Sequence, residues 1–356
     1  MEKTAFCKSL IRLIFFLLTL LLLSCHVFLG PEPKNSQMKI FNQLWLDFDR
    51  SYALFNERLE GKTWKDVREE YSAQITPDMN NFDFFGVCAK MINTMNDSHV
   101  SLSAPFNHST YYISGPYGGK EFILEGIQEE LKNGGKLAGN KMFLYGTFKS
   151  KPHAGYLYIK NFIDNSGIGI NIIQDWAKEI EKIVKELQKT TDFLILDIRN
   201  NDGGFSINME YIAGHFVSVQ RDYLKVRTKN GPAANDFSSP FAYAIKPADI
   251  RYTKPIVLLT NNDTVSAAEW FTMALLTQNN VTQTGEKTRG ALSTRLDRQL
   301  RNGWIYSLSI QKVSGVDGKQ VEGIGISPNK EHTIYNPITE YFYGWDTQLR
   351  HALDMF

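Results

Sequence analysis

The sequence predicts an α/β fold, a core of buried strands and helices preceded by a small helical subdomain. Three observations carry that expectation. Two continuous apolar runs, Phe193-Leu194-Ile195-Leu196 and Pro255-Ile256-Val257-Leu258-Leu259, read as strands covered on both faces. Between the first run and the strand-like Gly155-Tyr156-Leu157-Tyr158-Ile159 lies a helical pattern, with Ile172, Ile173, Trp176, Ile180, Ile183, Val184 and Leu187 on one side. Ahead of both, residues 40–97 repeat large apolar side chains at helical spacing.

In chain order, the first signal lies before any of these elements. Lys3, Lys8 and Arg12 precede an apolar run over residues 13–23, followed by Ser24 and Cys25. A basic start, an apolar stretch and a small residue before the break make an export signal. The stretch falls short of the about 20 apolar residues a membrane span needs. Leu22-Leu23-Ser24-Cys25 resembles a bacterial lipobox, which implies removal of residues 1–24 and a lipid on Cys25. Residues 25–39, with Gly30, Pro31 and Pro33, then read as a tether. The expectation is an exported bacterial lipoprotein held at a membrane, on a periplasmic or outer-membrane face.

The helical subdomain follows. Phe41, Leu44, Trp45 and Phe48 share one face, Thr63 opens a second helix with Trp64, Val67 and Tyr71, and residues 83–95 give a third. Aromatic stripes at this spacing build cores, so no chemistry of its own is expected from this part. Residues 100–160 change to glycine, tyrosine and alternating apolar residues, as strands and turns require. Residues 98–356 are expected to form the main core.

Composition excludes several classes. The chain has 356 residues, 43% hydrophobic and 22% charged, with a net charge of +1. That near-neutral balance argues against nucleic acid as a partner. There are 3 cysteines. Cys7 lies in the signal and Cys25 would carry lipid, so Cys88 has no partner for a disulfide. Neither a metal-ligand spacing nor a cofactor fingerprint is visible.

Three segments place polar or glycine residues where chemistry could occur. Asp197-Ile198-Arg199-Asn200-Asn201-Asp202-Gly203-Gly204 follows a buried strand, and paired glycines there expose backbone N–H groups suited to an oxyanion hole. The plain alternative is an Asn/Gly turn. Thr264-Val265-Ser266-Ala267-Ala268-Glu269 leads from the next strand into an apolar helix. Ser-x-x-Glu at that point is a capping box, but the same geometry puts Ser266 where a helix N-terminus favours negative charge. Asn96-Asp97-Ser98-His99 supplies a histidine, one of 7, and an activated serine needs such a base.

Taken with Thr284-Gly285-Glu286-Lys287-Thr288-Arg289-Gly290 and Glu322-Gly323-Ile324-Gly325-Ile326-Ser327-Pro328, these segments occur in the order seen in the tricorn-like and carboxyl-terminal-processing serine peptidases. The chain resembles that family from about His99 to Asn329, where an aspartate is more usual at the last position. The resemblance implies a ClpP/crotonase-like peptidase core. In the tail-specific branch a lysine serves as base, but its place here is taken by Ala291 and the nearest lysine, Lys287, falls short of it. The histidine branch fits better. It implies Ser266 as nucleophile, His99 as general base, and Ser98 and Glu322 orienting and stabilising the imidazolium. Such a carboxylate would raise the histidine's pKa. An oxyanion hole is implied from Ala267 and from Gly203 or Gly204. The stretch between His99 and Gly155 is too short for the complete PDZ domain many members carry.

The leading expectation is an endopeptidase acting on peptides or unfolded protein, without metal or organic cofactor. A catalytically silent ligand- or peptide-binding lipoprotein of the same fold, or a small-molecule esterase or amidase, are the alternatives. Oligomeric state is not legible.

Overall fold

The computed structural model describes residues 36–59, 61–105, 110–114, 124–164, 172–334 and 346–356. The expected signal, the expected lipidation site Cys25 and most of the expected tether lie outside them.

Helix starts earlier than the tether reading allowed. The first helix, α1, spans Ser36–Ser51 and buries Ile40, Phe41, Leu44 and Phe48 along one face. Gln37 in its first turn donates to the Met79 carbonyl, which ties residues 36–39 to the fold. A single turn, α2, follows at Phe55–Arg58. Helix α3, Trp64–Ser72, begins as expected at Thr63, which shares a capping box with Asp66. Helix α4, Asn81–Asn93, starts at Asn80, whose side chain accepts the Asp83 N–H.

Strands β1 (Ser101–Ala104) and β2 (Thr110–Ile113) come next. The region expected as strands and turns then holds a helix, α5 (Leu124–Glu130), before β3 (Lys136–Ala138), β4 (Phe143–Thr147) and β5 (Ala154–Ile159). The expected long helix begins only at Asp175, as α6 (Asp175–Lys178) and α7 (Ile180–Thr190), so the exposed Ile172 precedes it. The chain continues with β6 (Phe193–Asp197), α8 (Ser206–Gly214), β7 (Arg221–Thr228) and β8 (Phe241–Ile245). Strand β9 (Ile256–Thr260), α9 (Ala267–Leu275), β10 (Val281–Gly285), β11 (Arg295–Gln299), β12 (Ile305–Ser309), β13 (Gln311–Ser314) and α10 (Thr347–Asp354) complete it.

Six strands form the main sheet in the order β10-β9-β6-β5-β4-β3. The first four are parallel, and β4 and β3 add antiparallel strands at one edge. Alternate residues face opposite layers. Leu194, Leu196, Ile256 and Leu258 meet α6–α9, while Phe193, Ile195, Val257 and Leu259 meet the layer containing Ile127 of α5 and Leu349 of α10. Burial on both faces is why these strands read as unbroken apolar runs.

A second, antiparallel sheet runs β11-β12-β1-β2, and a third β13-β7-β8. The helical region does not close a core of its own. Phe41, Phe48, Tyr52, Phe84 and Met91 share one cluster with Leu102 and Tyr306 of the second sheet and with Val100 and Trp304 just before its strands. Helices from the start of the chain therefore pack on strands near its end. Cys88 is buried there as a free thiol, its pKa pushed up by burial, and is a core side chain. No helix among the described residues is long and apolar enough to cross a membrane.

Candidate active site

The site begins where two neighbouring parallel strands end. After β6 the chain turns through Asn200 and Asn201, and after β9 through Asn261. The two turns are bonded to each other: Asn200 N–H donates to Asn261 Oδ1 at 3.0 Å, Asn261 Nδ2 to Asn200 Oδ1 at 2.5 Å, and Thr264 Oγ1 to the Ile198 carbonyl at 3.1 Å. Val265 N–H closes the set on the Asn201 carbonyl at 2.9 Å. These bonds fix the glycine turn against the serine turn.

Ser266 stands at the junction of that turn with α9, half-buried, with φ 60° and ψ −123°. A positive φ at a serine costs on the order of 1–3 kcal/mol, and the surrounding bonds must hold it. Glu269 supplies them. Its buried carboxylate accepts from Ser266 N–H at 3.1 Å, Ala291 N–H at 2.8 Å, Gly290 N–H at 2.7 Å and Thr288 Oγ1 at 2.7 Å. Burial pushes the Glu269 pKa up, and these four donors oppose the shift. The returning arm of the expected capping box is thus present, and it holds the 288–291 segment as well as the helix start. Ser266 N–H also reaches the Ala291 carbonyl at 3.1 Å.

The glycines are packed against the serine. A β-carbon on Gly203 would lie 2.8 Å from Ser266 Cβ, from Ala267 N and from the Val265 carbonyl oxygen, so no larger residue fits. Gly204, at φ 132°, leaves no more room: a β-carbon would come within 2.5 Å of the Phe162 backbone. Gly203 and Gly204 are not equivalent as donors. Gly203 N–H is taken by Asn201 Oδ1 at 2.9 Å. Among the described residues nothing accepts the N–H of Gly204 or of Ala267. Ala267 and Gly204 are therefore the free pair, and Gly203 serves as a spacer.

His99 lies in the turn between α4 and β1. Asp97, fully buried, shapes that turn by accepting His99 N–H at 2.9 Å, Tyr52 Oη at 2.9 Å and Ser309 Oγ at 2.8 Å. The His99 carbonyl accepts from Ser307 Oγ at 2.7 Å. Ser98 Oγ and His99 Nδ1 are buried without a hydrogen-bond partner among the described residues.

Glu322 is buried, but its carboxylate is engaged elsewhere. It accepts Leu292 N–H at 2.9 Å and pairs with the Arg58 guanidinium at 3.5 Å. Burial, with the nearby Asp97 and Glu269 charges, drives its pKa well above the usual carboxylate range, against Arg58 and the Leu292 N–H. The expected link from Glu322 through Ser98 to the imidazole is not formed in this arrangement. His99 departs from expectation in the same sense. Burial lowers its pKa, with Arg295 and Arg58 adding to the fall, and the nearby Asp97 does not compensate. Lys287, the rival base, is exposed.

Sequence reasoning missed three residues here. Arg58 belongs to the helical region that was expected to carry no chemistry, yet it reaches Asn96, Gly290 and Glu322. Asp97 and Asn201 sit inside motifs that drew attention, but nothing in a single sequence says which atoms their carboxylate and amide hold. Among the described residues, no group of 3 or more His, Cys, Asp or Glu is arranged to hold a metal ion.

Strand-end glycines and a strained serine at a helix start define a protein of the serine-peptidase fold class, and comparison places the chain within it. Residues 153–332 match Peptidase family S41, and residues 33–93 match the tricorn protease C1 domain. The chain belongs to peptidase family S41. It is 31% identical over 153 residues to the carboxy-terminal processing protease CtpA of Bacillus subtilis (strain 168), covering 43% of this chain and 31% of that protein. With CtpB of the same organism the identity is 24% over 199 residues, 56% of this chain and 37% of the relative. The chain thus spans well under half the length of these relatives. A protein of known structure from Parabacteroides merdae ATCC 43184 superposes with a TM-score of 0.77 at 25% identity, covering 90% of this chain and 96% of that one. Mature CPAF, solved with lactacystin, shares the fold at a TM-score of 0.65 and 14% identity, over 90% and 97% of the two chains.

Proposed function

We propose that this chain is a serine endopeptidase that hydrolyses peptides or unfolded protein through an acyl-enzyme on Ser266. The observation that carries the reading is the backbone of Ser266, held at φ 60° between a parallel strand and a helix start. Strain of this kind is kept where it exposes a reacting atom. Family membership and the free Ala267 and Gly204 N–H groups support it.

In the proposed sequence, His99 takes the Ser266 hydroxyl proton as the oxygen attacks the substrate carbonyl. The developing oxyanion is met by Ala267 and Gly204, with Gly203 holding the turn close. His99 then gives its proton to the leaving amine, and water repeats the cycle on the acyl-enzyme. A lowered histidine pKa keeps the imidazole neutral, and so able to accept a proton, at neutral pH. Ser98 and Glu322 are proposed as supporting groups, Glu322 acting through the Leu292 backbone it holds.

The test is a fluorophosphonate probe followed by peptide mapping. Covalent label on Ser266, with neither label nor peptide turnover in Ser266→Ala, is expected. Turnover by the alanine variant at the wild-type rate would refute the assignment. Comparing peptide and ester substrates then separates a peptidase from an esterase.

The same reading includes export and a lipid on Cys25, supported by the basic start, the apolar run and the lipobox-like ending. Cys25→Ser should release the protein from membranes or block its maturation. Membrane association unchanged after carbonate washing, with correct processing, would contradict it.

A further inference from the structure

We propose that Arg58 is a positioning residue that joins the His99 turn to the nucleophile side of the site, so that the helical region completes the catalytic arrangement. This rests on the peptidase reading above. One guanidinium touches three separate segments of the chain. Nη1 donates to the Asn96 carbonyl at 3.0 Å, and Nη2 donates to the Gly290 carbonyl at 3.2 Å and faces Glu322 Oε1 at 3.5 Å. Asn96, at φ 45°, opens the turn that carries Asp97 and His99. Gly290 lies on the Ser266 side, where its N–H is held by Glu269, and the same carboxylate holds Ser266 N–H.

A continuous set of bonds therefore runs from the His99 turn through Arg58 and Gly290 to Glu269 and Ser266. It connects base and nucleophile where the expected Ser98–Glu322 link does not. The Arg58 side chain is only 14% exposed, and it extends from the single turn α2. Two carbonyls and a carboxylate spread over three chain segments, at Asn96, Gly290 and Glu322, suit a planar fork. A lysine ammonium at the same place keeps the charge but has to choose among them.

The charge also has a readable consequence. The groups acting on His99 are Asp97, Arg295 and Arg58; Asp97 favours the charged ring and both arginines oppose it. Removing the Arg58 charge should raise the His99 midpoint, whereas a lysine should leave it nearly in place. A purely structural arginine would move thermal stability without moving that midpoint.

The experiment compares wild type, Arg58→Lys and Arg58→Met by three readouts. These are His99 ring titration by NMR, kcat and KM per fluorophosphonate-titrated site, and thermal unfolding. We expect Arg58→Met to raise the His99 midpoint and lower kcat by roughly 10- to 100-fold with KM little changed, as misplaced groups do. Arg58→Lys should keep the midpoint and recover part of kcat. An unmoved midpoint in folded Arg58→Met, or unchanged kcat per labelled site in both variants, would overturn the proposal. Should Arg58→Met fail to fold, Arg58→Lys decides alone: a reduced kcat at an unmoved midpoint supports it and full activity overturns it. Because the NMR titration needs no turnover, it answers even if Ser266 proves unlabelled, which would count against the peptidase reading alone.

Discussion

The Ser266 turn and the His99 turn, the proposed nucleophile and base banks of the site, differ in how completely their polar groups are satisfied. On the nucleophile bank, Glu269 gathers four donors, Asn200 and Asn261 exchange side-chain bonds, and Thr264 and Val265 reach across to the neighbouring strand end. The base bank is held through one buried carboxylate. Asp97 fixes the turn through Tyr52, Ser309 and the His99 N–H, while Ser98 Oγ and the His99 ring Nδ1 are left without partners among the described residues. Serine strain needs rigid bonds around it, and those bonds come from Glu269 of α9 and from strand ends already fixed by the main sheet. The histidine instead stands on a turn between a helix and a different sheet, and Arg58 is the side chain that spans to the other bank. The contrast teaches that the Ser266 turn and the free N–H groups of Gly204 and Ala267 are fixed by the α/β core, whereas the His99 turn is placed by the packing of the helical region on the second sheet.

That contrast can be broken most forcefully at Glu269. Glu269→Gln replaces an acceptor of four donors by an amide with a single acceptor oxygen, leaving buried N–H groups unpaired. A loss of about 2–4 kcal/mol is expected, since each unsatisfied buried donor costs about 1–3 kcal/mol. Thermal and urea unfolding would measure it, and Ser266 labelling should fall with it. A variant as stable as wild type would mean that the nucleophile bank does not depend on this carboxylate. On the other bank the expected effect is small. Ser98→Ala removes a hydroxyl with no partner among the described residues, so stability should change by less than about 0.5 kcal/mol and kcat by less than about tenfold. A loss near that of a missing base would show that Ser98 joins a relay once substrate is bound.

The main strands were legible because both of their faces are buried, which leaves apolar runs such as 193–196 and 256–259 that no surface strand would carry. The helix start at Ser266 was legible too, since Ser-x-x-Glu after a strand reads as a cap, and Glu269 holds both that helix start and the 288–291 segment. Other features were beyond reach for physical reasons. Asn201 capturing the Gly203 N–H is a local side-chain choice that any Asn-x-Gly turn could make. Arg58 gives no periodic signal on a single helical turn, and its partner Gly290 lies 232 positions away. The direction of the His99 pKa shift was misjudged because a carboxylate nearby in sequence logic, Glu322, is turned towards Leu292 and Arg58, so burial and two arginines govern the ring. The shared core of the helices with β1 and β12 pairs segments from opposite ends of the chain, which amphipathic spacing alone does not reveal.

The central claim is that His99 serves as base to Ser266, and the pH dependence of kcat/KM in wild type, His99→Ala and Lys287→Ala tests it most directly. A neutral imidazole is required, so the rate should rise with pH and level off. Because burial and the two arginines depress the His99 pKa, the midpoint should lie below the usual 6.5. His99→Ala should lose roughly 10²- to 10⁴-fold in kcat and its inflection with it, while Lys287→Ala should keep both rate and midpoint. A midpoint well above 7 that persists in His99→Ala and disappears in Lys287→Ala would contradict the account and move the base to the lysine.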